Sequence, residues 1–208
     1  MLNLIKLIKR YKKYDLIKIY KVNKKMKKSK LHINEIYIFW DLDNTIYLFS
    51  EWGKDKEAVK KSEEEGYYYN LPIFPGAAAF LQFLLTLCPN VYILSKYPRT
   101  GADEEKIKSI ERDMPFFPKD HIILIGLDVD KGKVISEICN PNKAIIIDDY
   151  YENIIDAYNQ GIVGIKKTYS GKKRPVYQIK EFYELLFIFK KLDISLDLIN
   201  KEKNNLNN

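Results

Sequence analysis

Residues 36–45 read Ile-Tyr-Ile-Phe-Trp-Asp-Leu-Asp-Asn-Thr, an apolar run that turns polar within one step. The run at 36–40 is typical of a strand in a parallel sheet that helices cover on both faces. Side chains two residues apart in extended backbone point the same way, so Asp41 and Asp43 present two carboxylates to one place beyond the strand. Ligands of open α/β sheets bind outside the carboxyl ends of the strands, so this stretch predicts a site there.

Further apolar runs and helical stretches extend this pattern along the chain. We predict strands at 36–40, 91–94, 122–125, 144–147 and 162–165, and helices at 77–87, 102–113, 132–138, 151–158 and 181–192. The helix at 77–87 is apolar nearly all round, which predicts a buried helix. The helix at 102–113 is charged, and we expect a surface helix with Ile107 and Ile110 facing inward. The alternation predicts an α/β fold, a Rossmann-like, doubly wound and mainly parallel five-stranded sheet.

Residues 46–72 interrupt this alternation after the first strand. The segment is charged, contains two glycines and includes the triplet Tyr67-Tyr68-Tyr69, so we predict a small cap or lid insertion. The chain then divides into a basic N-terminal extension at 1–30, a domain at 31–200 that carries this cap, and a polar tail at 201–208 that we expect to be disordered. A chain of 208 residues is long enough for one such core.

Positive charge is concentrated in the extension. Residues 1–30 hold 12 Lys/Arg and one acid, for a net charge of +11, whereas the whole chain carries +7. The rest of the chain is therefore mildly acidic, so the total charge does not by itself indicate a polyanionic partner for the domain.

Two interpretations of the extension stay open. Apolar residues recur at roughly helical spacing among its lysines, which permits a basic amphipathic helix in weak contact with nucleic acid or an anionic membrane surface. The same residues fit a solvated extension or a chain start at Met26. Charges at Lys6, Lys9 and Arg10 interrupt the apolar stretch, so we expect no secretory signal there, and no later segment has the length of a transmembrane helix.

Cysteine and histidine are scarce. Cys88 and Cys139 lie far apart, each beside an apolar segment, which predicts two buried thiols and a cytoplasmic protein. His32 and His121 alone do not make a zinc site.

Polar residues also follow other predicted strands. Ser95 follows the second strand, Asp148-Asp149 follows the fourth, and the loop after the third leads to Lys131 and Lys133. Clustered carboxylates repel one another unless a cation lies among them, and oxygen ligands favour a hard cation, so the pattern predicts Mg²⁺. A hydroxyl, a lysine and helix N-termini around the same point suit a phosphoryl group, which a carboxylate can accept covalently.

Four segments, in this order, resemble motifs I to IV of the haloacid dehalogenase-like (HAD) phosphohydrolases. They are Asp41-x-Asp43-x-Thr45, Ser95, Lys131 and Asp148-Asp149. The resemblance covers about residues 34–170 and leaves both ends of the chain unexplained. The first string alone is a weak signal, but four motifs in the right order, three of them directly after predicted strands, are a specific one.

The resemblance implies a Mg²⁺-dependent phosphomonoester hydrolase that acts through an aspartyl-phosphate intermediate. Asp41 would be the nucleophile, and Asp43 would protonate the leaving group and then activate water. Thr45, Ser95 and Lys131 would serve the bound phosphate, with Lys133 open as the alternative lysine. The implied metal ligands are Asp41, Asp43 through its backbone carbonyl, Asp148 and Asp149, of which the last is either a ligand or a supporting residue.

Within the superfamily, the string Leu-Pro-Ile-Phe-Pro-Gly-Ala at 71–77 and the Asp148-Asp149 ending are similar to the cytosolic deoxyribonucleotidase-like branch. That branch usually has a larger cap. The implied substrate is a nucleotide or another small phosphometabolite. Two alternatives stay open, namely a non-catalytic HAD-fold binding protein and a phosphatase that acts on polynucleotide ends.

Overall fold

The computed structural model describes residues 13–50, 55–169 and 175–196. The strands in these ranges are β1 (Tyr37–Trp40), β2 (Val91–Tyr97), β3 (Ile122–Gly126), β4 (Ala144–Asp148), β5 (Val163–Lys167) and β6 (Tyr177–Ile179). The α-helices are α1 (Lys13–Ser29), α2 (Asp55–Lys61), α3 (Ala77–Leu87), α4 (Ala102–Asp113), α5 (Lys131–Ile138), α6 (Tyr151–Asn159) and α7 (Glu184–Lys191). Single-turn 3₁₀ helices at Ile33–Glu35, Lys119–His121 and Pro141–Lys143 precede β1, β3 and β4.

The strands form one sheet in the order β3-β2-β1-β4-β5-β6, with every neighbouring pair parallel. This topology confirms the predicted α/β, Rossmann-like and doubly wound fold. The strand count in the described ranges is six and not the predicted five, because β6 was not predicted. That strand is a three-residue edge strand of sequence Tyr-Gln-Ile. An edge strand is paired on one side only, so its sequence need not be a continuous apolar run.

Successive side chains of the central strands enter two core layers, one on each face of the sheet. Ile38 and Trp40 of β1 belong to the layer that α3, α4 and α7 cover, whereas Phe39 belongs to the layer that α5 and α6 cover. Side chains in a strand alternate between faces, which is why a sheet covered on both sides reads as an unbroken apolar run. All three residues are fully buried.

Two helices have the predicted bounds but differ from the prediction in which side chains they bury. In α3 only one face is buried, and Phe83 on the other face is 45% exposed, so the prediction of a helix buried all round is wrong. In α4 Ile110 is buried as predicted, but Ile107 is 39% exposed and Lys106 is buried instead. Ala102, Lys106 and Ile110 are spaced by four residues and therefore share one helical face, which excludes Ile107.

The second half of the basic extension is α1, which packs against α6 and β5. Ile19 and Met26 are buried, and Asn23 Oδ1 accepts a hydrogen bond of 3.1 Å from the hydroxyl of Tyr158. Contact of the extension with nucleic acid or a membrane stays a prediction. Residues 1–12 and the tail at 201–208, predicted to be disordered, lie outside the described ranges. Among the described residues no helix has both the length and the apolar character that a bilayer crossing requires.

The segment predicted as a cap lies between β1 and α3, and its residues 51–54 are outside the described part of the chain. It contains α2 followed by turns that run to Asn70. Phe49 stacks on Tyr68, with ring centroids 6.0 Å apart, and the Tyr67 hydroxyl donates to the Phe49 carbonyl at 2.6 Å. Two of the three consecutive tyrosines therefore pack the cap together.

Candidate active site

The site lies at the carboxyl ends of β1 and β4, where the strand order changes direction. In an open α/β sheet this switch point opens a crevice in which ligands bind. Trp40 is in register with Ile147, and the backbone N–H of Asp41 donates to the Ile147 carbonyl at 2.9 Å. The parallel register therefore brings Asp41 and Asp148, the next residue of each strand, side by side.

A buried lysine joins these two carboxylates. Lys131 is the first residue of α5, and its Nζ lies 2.5 Å from Asp41 Oδ1 and 2.8 Å from Asp148 Oδ2. All three residues are buried. Burial by itself would lower the pKa of Lys131, but the carboxylates of Asp148 and Asp41 raise it above its ordinary value, so the ammonium stays charged.

The alternative lysine points away from the site. The Lys133 side chain is 67% exposed and pairs with Asp130 at 3.2 Å. Residues two apart on a helix do not share a face, so of the two lysines only Lys131 reaches Asp41 and Asp148.

Three carboxylates are close enough to share one cation. Asp41, Asp148 and Asp149 each offer an oxygen atom, and these atoms lie within 4.8 Å of one another. Asp148 is held in place by the Tyr150 N–H at 2.7 Å and by Asn153 Nδ2 at 2.9 Å. Burial raises the pKa of Asp149 well above its ordinary value, and the charges of Asp41 and Asp148 add to that rise.

This donor set fits Mg²⁺. The ligands are all oxygen atoms, and three carboxylates against one ammonium leave excess negative charge that a hard divalent cation would compensate. Asp43 does not contribute its carboxylate to the cluster found in the described residues.

The carboxylate of Asp43 instead faces a second buried lysine. Lys106 Nζ, on α4, lies 2.7 Å from Asp43 Oδ2 and 3.2 Å from Ser95 Oγ. Burial raises the pKa of Asp43 above its ordinary value, and the positive charge of Lys106 opposes part of that rise. Ser95 is buried within β2, which continues past the predicted end at residue 94.

Lys106 was not predicted from the sequence as part of the site. One signal could have found it, because the residue lies midway between Ala102 and Ile110 on the apolar face of its helix. A lysine on such a face needs a buried counter-charge, which the sequence alone does not locate.

Thr45 closes the turn after β1. Its backbone N–H donates to the Leu42 carbonyl at 3.1 Å, and its buried hydroxyl lies 3.5 Å from Asp41 Oδ2. Asn44 has a φ of 54°, and its carbonyl accepts a 2.9 Å hydrogen bond from the Tyr169 hydroxyl. This turn holds Asp41 and Asp43 at the mouth of the sheet.

A cavity of about 480 Å³ opens above these residues. Its floor is polar and is formed by Asp41, Asp43, Ser95, Lys131, Asp148 and Asp149. Its walls are largely apolar or aromatic and include Phe49, Val59, Tyr68, Pro98, Leu127 and Tyr150. A larger cavity of about 590 Å³ lies between the cap and the start of α4 and contains none of the predicted site residues. The polar floor makes the first cavity the candidate active site.

Comparison with known proteins supports the fold assignment. No protein-family model matches the chain, and no curated protein sequence matches it. Solved structures do match. A haloacid dehalogenase-like family hydrolase from Xanthomonas campestris superposes with a TM-score of 0.51 and 11% identity, over 76% of this chain and 92% of that chain.

Two further structures agree. A HAD family hydrolase from Deinococcus radiodurans R1, solved with bound phosphate and sodium, has a TM-score of 0.51 and 11% identity over 76% of this chain and 96% of its own. A haloacid dehalogenase-like family hydrolase from Streptococcus pneumoniae has a TM-score of 0.50 and 17% identity over 77% of this chain and 99% of its own. The shared feature is the fold, since the sequence identities are between 11% and 17%.

Proposed function

We propose that this chain, which has the fold of the haloacid dehalogenase-like hydrolases, is a Mg²⁺-dependent phosphomonoester hydrolase with Asp41 as its nucleophile. The observation that carries the proposal is the convergence of Asp41, Asp148 and Asp149, whose oxygen atoms lie within 4.8 Å of one another. Had Asp148 lain far from Asp41, the site could not hold a metal ion between them. The hydrolase from Deinococcus radiodurans R1 was solved with phosphate bound, which is in keeping with this chemistry.

The reaction has two steps. An oxygen of Asp41 attacks phosphorus, the bond from phosphorus to the ester oxygen breaks, and that oxygen takes a proton from Asp43. In the second step the Asp43 carboxylate removes a proton from a water molecule, whose oxygen attacks the phosphorus of phospho-Asp41. Inorganic phosphate leaves and Asp41 is restored. The raised pKa of Asp43 suits the first step, because an acid must hold its proton until the leaving group needs it.

The metal ion and Lys131 would neutralise the negative charges of the Asp41 carboxylate and the phosphate ester. A Mg²⁺ ion held by Asp41, Asp148, Asp149 and the Asp43 backbone carbonyl would let an anionic carboxylate approach an anionic ester. Lys131 already contacts Asp41 and Asp148, so its ammonium lies next to the carboxylate that would attack. Thr45 and Ser95 complete the proposed phosphate-binding group, with Thr45 acting through its contact with Asp41.

The substrate class is a small phosphorylated molecule. A cavity of about 480 Å³ falls within the range of small-molecule sites, and its apolar walls suit an organic leaving group. Nucleotides come first in a substrate panel, because residues 71–77 and the Asp148-Asp149 pair resemble the deoxyribonucleotidase-like branch.

The direct test is turnover of a generic aryl phosphate with Mg²⁺, measured beside Asp41→Asn. We expect the variant to lose at least about a thousandfold in kcat, since the covalent step has no other acceptor. Asp130→Asn is the matched control, because Asp130 is partly exposed and pairs only with Lys133 among the charged groups described around it. Equal rates for wild type and Asp41→Asn would eliminate Asp41 as the nucleophile.

The same assays separate the two alternatives. A non-catalytic binding protein would show no turnover above the Asp41→Asn background on any phosphomonoester. A phosphatase for polynucleotide ends would prefer oligonucleotides with a 3′- or 5′-phosphate to mononucleotides.

A further inference from the structure

We propose that Lys106 is a positioning residue that holds the carboxylate of Asp43 in place for proton transfer, an assignment that rests on the proposed function. Lys106 is on α4, outside all four motifs, and its side chain is 2% exposed. Its Nζ lies 2.7 Å from Asp43 Oδ2. The ion pair joins a helix on one side of the sheet to the turn that follows β1.

The hydrogen bonds of Lys106 leave no donor for substrate. An ammonium group has three N–H donors. In Lys106 these reach Asp43 Oδ2 at 2.7 Å, Ser95 Oγ at 3.2 Å and the Lys96 carbonyl at 2.6 Å. The ring of Tyr68 covers the remaining side, with Nζ 4.6 Å from its centroid. Lys106 therefore acts through Asp43 and Ser95 and not by binding the phosphate itself.

The burial of Lys106 restricts the orientation of Asp43. A buried ammonium is costly unless it is paired with a negative charge and fully hydrogen-bonded. Asp43 is the carboxylate within ion-pair distance of Lys106 in the described part of the chain. If the Asp43 carboxylate turned away, the ammonium would lose its counter-charge inside the protein. When Asp43 carries a proton, its carbonyl oxygen can still accept the hydrogen bond from Lys106, so the contact restricts Asp43 to one orientation in both protonation states.

Glu105, the residue before Lys106, fixes the position of their helix. The Glu105 carboxylate accepts hydrogen bonds from the cap, at 2.9 Å from the Gly66 N–H and 3.1 Å from the Tyr68 N–H. Arg99 Nη2 donates to the same carboxylate at 2.8 Å. The cap, α4 and Asp43 are thereby linked through two consecutive residues, so Lys106 is anchored on both sides.

A leaving-group comparison tests the assignment. An alkyl phosphate needs a proton from Asp43 as its poor leaving group departs, whereas 4-nitrophenyl phosphate needs it much less. We expect Lys106→Met to lower kcat/KM for the alkyl ester by about a hundredfold, and for the aryl ester by about tenfold or less. Because both substrates are measured on one preparation, a reduced folded fraction cancels in their ratio. Lys108→Met, on the exposed face of the same helix, should leave the ratio unchanged.

Each outcome has one meaning. An equal fall for both substrates in Lys106→Met would overturn the positioning role and leave a structural one. Absence of turnover in the wild type, or full activity in Asp41→Asn, would instead overturn the proposed function. If Lys106→Met yields no folded protein, Lys106→Gln carries the same ratio test, with the same result required.

Discussion

Lys131 Nζ lies 2.5 Å from Asp41 Oδ1, although the two residues are 90 positions apart in the sequence. The contact distinguishes two lysines of identical chemistry. Lys131→Met removes the ammonium beside the proposed nucleophilic carboxylate, and we expect kcat for an aryl phosphate to fall by about a hundredfold or more. Lys133→Met is the matched control and should stay within about twofold of wild type, because its side chain faces solvent. Steady-state kinetics of both variants check this, and a larger loss in Lys133→Met would reverse the assignment.

The acidic cluster should respond to Mg²⁺ in the absence of substrate. An ion that binds only the folded state stabilises it by RT ln(1 + [Mg²⁺]/Kd), or about 2.7 kcal/mol at a hundred times Kd. Mg²⁺ should therefore raise the thermal unfolding midpoint of chelator-treated protein. Asp148→Asn should remove most of this shift, whereas Asp130→Asn should retain it. The metal assignment fails if Asp148→Asn keeps the full shift.

Glu105 should make stability depend on pH in the acid range. Burial alone would raise its pKa, but hydrogen bonds from Arg99, Gly66 and Tyr68 lower it below the ordinary value of 4.5. A carboxyl whose pKa is lowered by folding contributes stability that is complete above the unfolded-state pKa and lost as the pH falls through the folded-state pKa. Glu105→Gln should therefore lose about 2 kcal/mol of unfolding free energy near neutral pH.

Urea unfolding at two pH values checks that prediction. The difference between wild type and Glu105→Gln should narrow once the pH is below 4.5, where the carboxyl begins to protonate in the unfolded state, and should continue to narrow as the pH falls through the lower folded-state pKa. Glu104→Gln, at an exposed position on the same helix, should show a small difference at both pH values. If the difference in unfolding free energy between wild type and Glu105→Gln stayed constant with pH, the charge of Glu105 would contribute nothing to stability.

Asn44 should tolerate glycine better than alanine. Its φ of 54° lies in the left-handed region, where a residue other than glycine or asparagine costs about 1 kcal/mol. Its Oδ1 also accepts a 3.1 Å hydrogen bond from the Ser50 N–H. Asn44→Gly loses this hydrogen bond and the 3.4 Å one that Asn44 Nδ2 donates to the Ser50 hydroxyl, whereas Asn44→Ala loses both and adds backbone strain. Chemical denaturation should rank the two variants in that order, and an equal cost would show that the turn relaxes.

Much of the fold could be predicted because its strands and helices have strong local patterns. The bounds of α3 and α4 were predicted correctly, and each of the four inner strands overlaps its predicted apolar run, although β2, β4 and β5 continue past the predicted ends. β6 was missed, because an edge strand of three residues has no such run. Ile107 was predicted to face inward but is exposed. The prediction rested on the apolar character of Ile107, whereas the buried face of the helix is the one that Ala102, Lys106 and Ile110 share.

The sequence by itself determined the order of strands and helices and the acidic residues at the strand ends, because periodicity and residue type are local properties. Tertiary structure decided which charged residues meet. Lys131 and Lys133 are the same residue type two positions apart, and the packing of α5 places the first toward Asp41 and Asp148. Lys106 is buried because a carboxylate 63 residues away compensates its charge, and such a pairing exists only once the chain is folded.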